Sequence, residues 1–476
     1  MHEIPRLASG ISGLDKVLAG GFITGASYII QGRPGAGKTI LSNQIACAHV
    51  AGGGRVLYVT LLSESHERLF QSLDSLSFFD RRKLGSEIIY VSVFQTLRDE
   101  GLDAVVKLLR KETKRQDASL LVFDGLLNAR DRADTDFDVK TFVAEVQGQA
   151  AFVGCTVLFL TSSRANEVCP EHTMVDGVIE LTDTLAGART VRQLQVRKSR
   201  GSKALGGLHK FEITDEGVTV FPRIETLVTP EIADAPVREG CLATGIPNLD
   251  ALIGGGVPVG SVTLLAGPTG SGKTTIGLHF LSQSTAEEPG LHFGFFETPQ
   301  RLRAKARALG LTLAEEGDPS LTVEWTPLAD NILDKLAHRL IDRVRAQGVR
   351  RLFIDGLGGF ERAAVYRPRL VEFFASLMDQ LRADGVTTLA TWEIRQLLGT
   401  DVEAPATDIS AILDNMILLR RWEEDHSIIR GISVQKMRDR PFNPAICAID
   451  FTEQGLVVGG PLSDRRALSS LPPNQG

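Results

Sequence analysis

The amino-acid sequence predicts an α/β chain of two tandem P-loop domains, each a mostly parallel sheet with helices on both faces. Three observations carry that expectation. Gly32-Arg33-Pro34-Gly35-Ala36-Gly37-Lys38-Thr39 and Gly267-Pro268-Thr269-Gly270-Ser271-Gly272-Lys273-Thr274 both spell a phosphate-binding loop, 235 residues apart. Each loop follows an apolar run, residues 27–30 and 261–265, and precedes a helical pattern. Strand-length apolar runs then alternate with amphipathic helical stretches through both halves, the pattern of a parallel sheet covered on both sides.

The elements can be taken in chain order. Ser9-Gly10-Ile11-Ser12-Gly13-Leu14-Asp15 opens the first half and returns as Thr244-Gly245-Ile246-Pro247-Asn248-Leu249-Asp250. Gly20-Gly21 returns as Gly255-Gly256, again at a spacing of 235, so the register holds without a gap up to the loops. Strands are expected at 55–60, 120–123 and 156–160, with counterparts at 291–296, 351–354 and 387–391. Segments 190–198, 210–213 and 218–221 read as an added hairpin, with 428–434 and its neighbours as the counterpart. The repeat divides the chain into domains at 1–232 and 233–460, joined where Pro222, Pro230 and Pro236 interrupt periodicity, and leaves 461–476 as a flexible tail.

The loops imply ATP with Mg2+. Glycines 32, 35, 37, 267, 270 and 272 let backbone N–H groups converge on phosphate oxygens, with Pro34, Ala36, Thr269 and Ser271 filling the intervening places. Lys38 and Lys273 reach the terminal phosphates. Thr39 and Thr274, the latter followed by Thr275, open the helices whose N-termini favour anions, and their hydroxyls suit magnesium. Asp124 and Asp355 each close an apolar run and supply the second metal ligand. An aspartate ending a strand is also a common turn former; behind a phosphate loop the metal role is favoured. Hydrolysis needs a base or water-orienting group, for which Glu64 and Glu297, just past the second strand of each half, are the candidates. The alternative for each is a carboxylate capping the next helix.

Composition narrows the classes. With 476 residues, 43% hydrophobic, the chain can bury two sizeable cores, and its net charge of −6 argues against bulk attraction to nucleic acid. Six basic residues, Arg189, Arg192, Arg197, Lys198, Arg200 and Lys203, nevertheless bunch within fifteen positions. Cys47, Cys155, Cys169, Cys241 and Cys447 lack metal-ligand spacing and read as reduced thiols. No apolar stretch is long enough for a membrane span and no secretory leader opens the chain, so the expected compartment is the cytoplasm.

The paired loops, the Thr-Gly-Ile-x-x-Leu-Asp opening, the stretch Phe296-Glu297-Thr298-Pro299-Gln300 and Lys436-Met437-Arg438 resemble the circadian clock protein KaiC family over about residues 4–460. That resemblance implies a RecA-like fold for each half. It implies a homo-oligomer, a double ring of six, with ATP held between neighbours, slow hydrolysis in the first ring and transfer of phosphate to the chain's own serine or threonine in the second. Lys198 and Arg200, with Lys436 and Arg438, would reach the neighbouring subunit's γ-phosphate; their alternative is a solvated basic strand. Two departures qualify the likeness. The clock members carry adjacent glutamates after the second strand, whereas this chain has Ser63-Glu64 and Phe296-Glu297. The family's acceptor segment becomes Ile409-Ser410-Ala411-Ile412-Leu413-Asp414, which leaves Ser410 as the candidate acceptor, its alternative a plain surface or capping serine, and loses the adjacent hydroxyl. The resemblance therefore implies a KaiC-like ATPase and serine autokinase in signalling or timing, with signalling proteins as partners. Two rivals stand beside it. One is a DNA-dependent motor, which segments 128–134 and 356–362 do not favour because their charges balance. The other is a non-hydrolysing ATP-bound scaffold.

Overall fold

The computed structural model describes residues 4–61, 66–127, 135–162, 169–234, 236, 238–329, 331–394, 412–424, 427–438, 440–452 and 455–462. Two compact units divide the chain, Met1–Thr226 and Leu227–Gly476. In the first, nine strands form one sheet in the spatial order Gly217–Phe221, His209–Thr214, Arg189–Ser199, Gly177–Ala186, Ser27–Gly32, Thr156–Thr161, Leu120–Asp124, Val56–Thr60, Ile88–Ser92. From Gly177–Ala186 to Ile88–Ser92 every pairing is parallel. The remaining three strands continue as an antiparallel meander.

The second unit repeats this order. Leu321–Trp325, Gly290–Gly294, Arg351–Asp355, Thr387–Glu393, Val262–Gly267 and Asn415–Glu424 pair in parallel, and Ser427–Met437, Cys447–Thr452 and Gly455–Pro461 extend the sheet antiparallel. These are the two tandem RecA-like domains the sequence implies.

Alternation along the central strands explains why both faces are covered. Tyr58, Leu120, Val122, Leu158 and Leu160 join one core with Leu41 and Ile45 of helix Lys38–Ala51. Their neighbours Leu57, Val59, Leu121, Phe123 and Phe159 point the other way, into a core with Val105 and Leu109 of Leu102–Gln116 and Phe142 and Val146 of Asp136–Phe152. In the second unit one face is lined by Phe280, Phe353 and Leu389, and the opposite face holds packed rings of Phe293, Phe295, Phe360, Phe373 and Phe374.

In each nine-stranded sheet two of the described strands lie outside the sequence-based elements. Ile88–Ser92 and Leu321–Trp325 are outer parallel strands that carry partly exposed residues, and Gly177–Ala186 and Asn415–Glu424 link the parallel core to the meander. The strand expected at 291–296 is Gly290–Gly294, so Phe295 and Phe296 fall beyond it. The charge-balanced segment 356–362 is largely the short helix Gly358–Ala363, with Phe360 buried. Among the described residues no helix is long and apolar enough to cross a membrane. The five cysteines carry free thiols, and all but Cys241 are buried.

Candidate nucleotide sites

Each phosphate loop leaves the carboxyl end of a strand flanked by parallel neighbours on both sides, where open α/β sheets gather ligands. Gly37 and Gly272 occupy the N-cap positions of helices Lys38–Ala51 and Lys273–Ser282 with φ of 99° and 107°. That left-handed geometry disfavours any side chain. A Cβ on Gly37 would also meet Ile213 Cδ1 at 2.6 Å, and one on Gly272 would meet Leu456 Cδ1 at 3.0 Å. The turn therefore aims successive N–H groups at one point, and the helix terminus adds positive potential.

The loop lysines sit alike in both sites. Lys38 Nζ donates to the carbonyls of Gly32 at 2.8 Å and Arg33 at 3.0 Å; Lys273 Nζ donates to Gly267 at 2.7 Å and Pro268 at 2.8 Å. Burial pushes both ammonium groups down from their ordinary range, Lys273 to about 8, while Asp124 pulls Lys38 back and Glu393 and Asp355 pull Lys273 back. A phosphate anion beside either ammonium would favour its charged form further.

Asp124 and Asp355 share a frame and differ in their surroundings. Thr39 Oγ1 donates to Asp124 at 3.2 Å, and Thr274 Oγ1 donates to Asp355 at 3.1 Å. A hydroxyl and a carboxylate side by side are the hard oxygen donors magnesium takes, with phosphates and water completing its shell, so these residues fit the ion. Among the described residues no group of three His, Cys, Asp or Glu builds a separate metal cage. Burial holds the Asp124 carboxyl above its ordinary value, with Thr39 and Lys38 opposing. Burial would raise Asp355 too, but the His292 imidazole 4.0 Å away and the hydroxyls of Thr391, at 3.0 Å, and Thr274 hold it below. Sheet register puts Leu160 where the second unit has Thr391, and Tyr58 where it has His292. Asp355 is thus the more readily ionised of the two carboxyls.

The other expected residues fall as follows. Glu64 and Ser410 lie outside the described residues, as does segment 128–134. Glu297 accepts from Lys305 Nζ at 2.8 Å, an ion pair made with the helix that follows it, Pro299–Ala308. Lys198 Nζ donates to His172 O at 2.8 Å and Arg200 to Thr173 O at 3.3 Å, capping the short helix Pro170–Thr173. Lys436 Nζ donates to Leu413 O at 2.7 Å, and Arg438 pairs with Asp414 at 3.1 Å. Both basic pairs therefore rest on the segment just before the strand that flanks the loop. Thr275 is buried within its helix.

Sequence reasoning missed four side chains. Thr391 and His292 attend Asp355, and Glu393, at the end of strand Thr387–Glu393, accepts a hydrogen bond from Thr269 of the loop. In the first unit His66 bonds Thr60 at 2.7 Å, close to the strand end paired with Asp124. Only a position-by-position comparison of the repeats, His292 against Tyr58 and Thr391 against Leu160, carried a signal for them.

The chain matches the family described as ATPase: KaiC twice, over residues 7–225 and 242–463. It is 24% identical to the circadian clock oscillator protein KaiC of Synechococcus elongatus over 471 residues, covering 95% of this chain and 89% of that protein. It is 25% identical to the circadian clock protein KaiC3 of Synechocystis sp., covering 96% of this chain and 92% of the relative. With both halves of the sequence matched and both phosphate sites formed, the chain belongs to the KaiC family of ATPases.

Proposed function

We propose that this chain binds magnesium ATP in both units, hydrolyses it slowly at interfaces between copies in a cytoplasmic ring of six, and passes phosphate to Ser410, acting in signalling or timing. The observation that carries the reading is the doubled site: a left-handed glycine cap, a folded-back lysine and a threonine–aspartate pair at each of two equivalent strand ends. When bound, the metal neutralises charge developing on the transferring phosphoryl group. Lys38 and Lys273 orient the phosphates. Thr39 with Asp124, and Thr274 with Asp355, would hold the ion. Glu64 is the first site's candidate for orienting water. Lys198 with Arg200 and Lys436 with Arg438, placed alike in the two units, would complete a neighbour's site by adding positive charge in trans.

A second reading, an ATP-bound scaffold that docks signalling proteins, draws support from Glu297, whose charge is taken up by Lys305. ADP release from the purified chain, measured with and without single-stranded DNA, separates the readings, with light scattering for mass. Turnover indifferent to DNA in a particle of about six chains supports the ring ATPase. Binding without ADP release supports the scaffold. Stimulation by DNA, or a monomer in saturating magnesium ATP, overturns the proposal.

A further inference from the structure

The second site holds a carboxylate, Glu393, that none of these roles uses. Strand Thr387–Glu393 lies directly beside the loop strand, with Glu393 opposite Gly267, and the next residue pins that register through Ile394 N–H to Gly267 O at 3.1 Å. The Glu393 side chain is exposed at the strand end, accepts from Thr269 Oγ1 in the middle of the loop, and acts on Lys273 ahead of Asp355. Glu297, by contrast, follows a strand separated from the loop strand by both Arg351–Asp355 and Thr387–Glu393, and its carboxylate is held by Lys305. In the first unit the equivalent position, one past the Gln31–Thr161 pairing, is Ser162, which cannot serve as a base. Glu393 is thus a carboxylate fixed against the phosphate loop, the kind of group that can take a proton from an attacking water.

We propose that Glu393 is the catalytic residue that takes the proton from the attacking water in the second site. The role rests on the ATPase reading above. The water oxygen forms a bond to the γ-phosphorus, the bond from that phosphorus to the bridging oxygen breaks, and its electron pair leaves with ADP. The water's proton passes to the Glu393 carboxylate and from there to phosphate or solvent. Thr269 keeps the carboxylate turned toward the loop rather than toward bulk water.

The test uses the full chain carrying Lys38→Ala, which silences the first site, so that single-turnover ADP release reports the second. Glu393→Gln is then added; its amide oxygen still accepts from Thr269, so the loop keeps its contact while the base is lost. Release should fall about 10²–10⁴-fold while binding of a fluorescent ATP analogue stays within about threefold. The Lys38→Ala chain should lose rate at acid pH, and adding Glu393→Gln should remove that fall, which loss of a merely structural contact would not do. Unchanged release in Glu393→Gln, or a retained acid limb, overturns the assignment and leaves the ATPase reading standing. Loss of release in Glu297→Gln but not in Glu393→Gln overturns it in favour of Glu297. A Lys38→Ala chain that binds the analogue yet releases no ADP sinks the ATPase reading for this site, and the role of Glu393 with it.

Discussion

Between pH 7 and pH 9, the unliganded second unit should gain about 1.3 kcal/mol of stability from Lys273 alone. The lysine's ordinary value of 10.5 is lowered to about 8, chiefly by burial. A folded value below the unfolded one means that the folded state binds fewer protons between the two. Stability therefore rises as pH climbs through about 8 and levels off near 10.5. Below that window the fold carries the whole cost of burying the charge, roughly 3 kcal/mol. The assay is favoured by the sequence: the three tryptophans, Trp325, Trp392 and Trp422, all lie in Leu227–Gly476, so their fluorescence follows unfolding of that unit. Urea unfolding at pH 7, 8 and 9 would compare the parent with Lys273→Met. The variant deprives two loop carbonyls of their donor, so its absolute stability is not the readout; its pH slope is, and other titrating groups cancel in the difference. Saturating magnesium ATP should abolish the parent's gain, because the phosphates hold the ammonium charged. Equal pH slopes in parent and variant would refute the reasoning.

Two further outcomes are expected. Incubation with labelled ATP should place phosphate in the second unit, and Ser410→Ala or Lys273→Ala should each abolish it; label elsewhere, or none, detected by peptide mapping, rejects the autokinase reading. Asp334 is fully buried and accepts both guanidinium arms of Arg369, at 2.9 and 2.5 Å. Arg369→Leu should therefore cost about 3–5 kcal/mol in tryptophan-detected urea unfolding, and adding Asp334→Leu should restore much of it.

The phosphate loops were legible because their geometry is local: eight consecutive residues fix the turn, the lysine and the threonine hydroxyl that bonds the aspartate. Central strands were legible because both of their faces are buried, which leaves unbroken apolar runs such as Val56–Thr60 and Leu120–Asp124. Ile88–Ser92 was not, because Ile89, Tyr90 and Val91 are only partly buried at the sheet's edge. Glu393 was hidden for another reason. Its partner Thr269 is 124 residues away in sequence, and a glutamate closing a strand has no local mark that distinguishes it from a surface one. Glu297 stood out through the family stretch around it, yet its ion pair with Lys305 depends on how the next helix leaves the strand.

The glycine caps have a mechanical consequence. In both units the meander's side chains, Ile213 in one and Phe451 and Leu456 in the other, stand where a cap side chain would be, so hairpin and phosphate loop form a contact without slack. Load applied to the meander in either unit has a direct route to the nucleotide cradle.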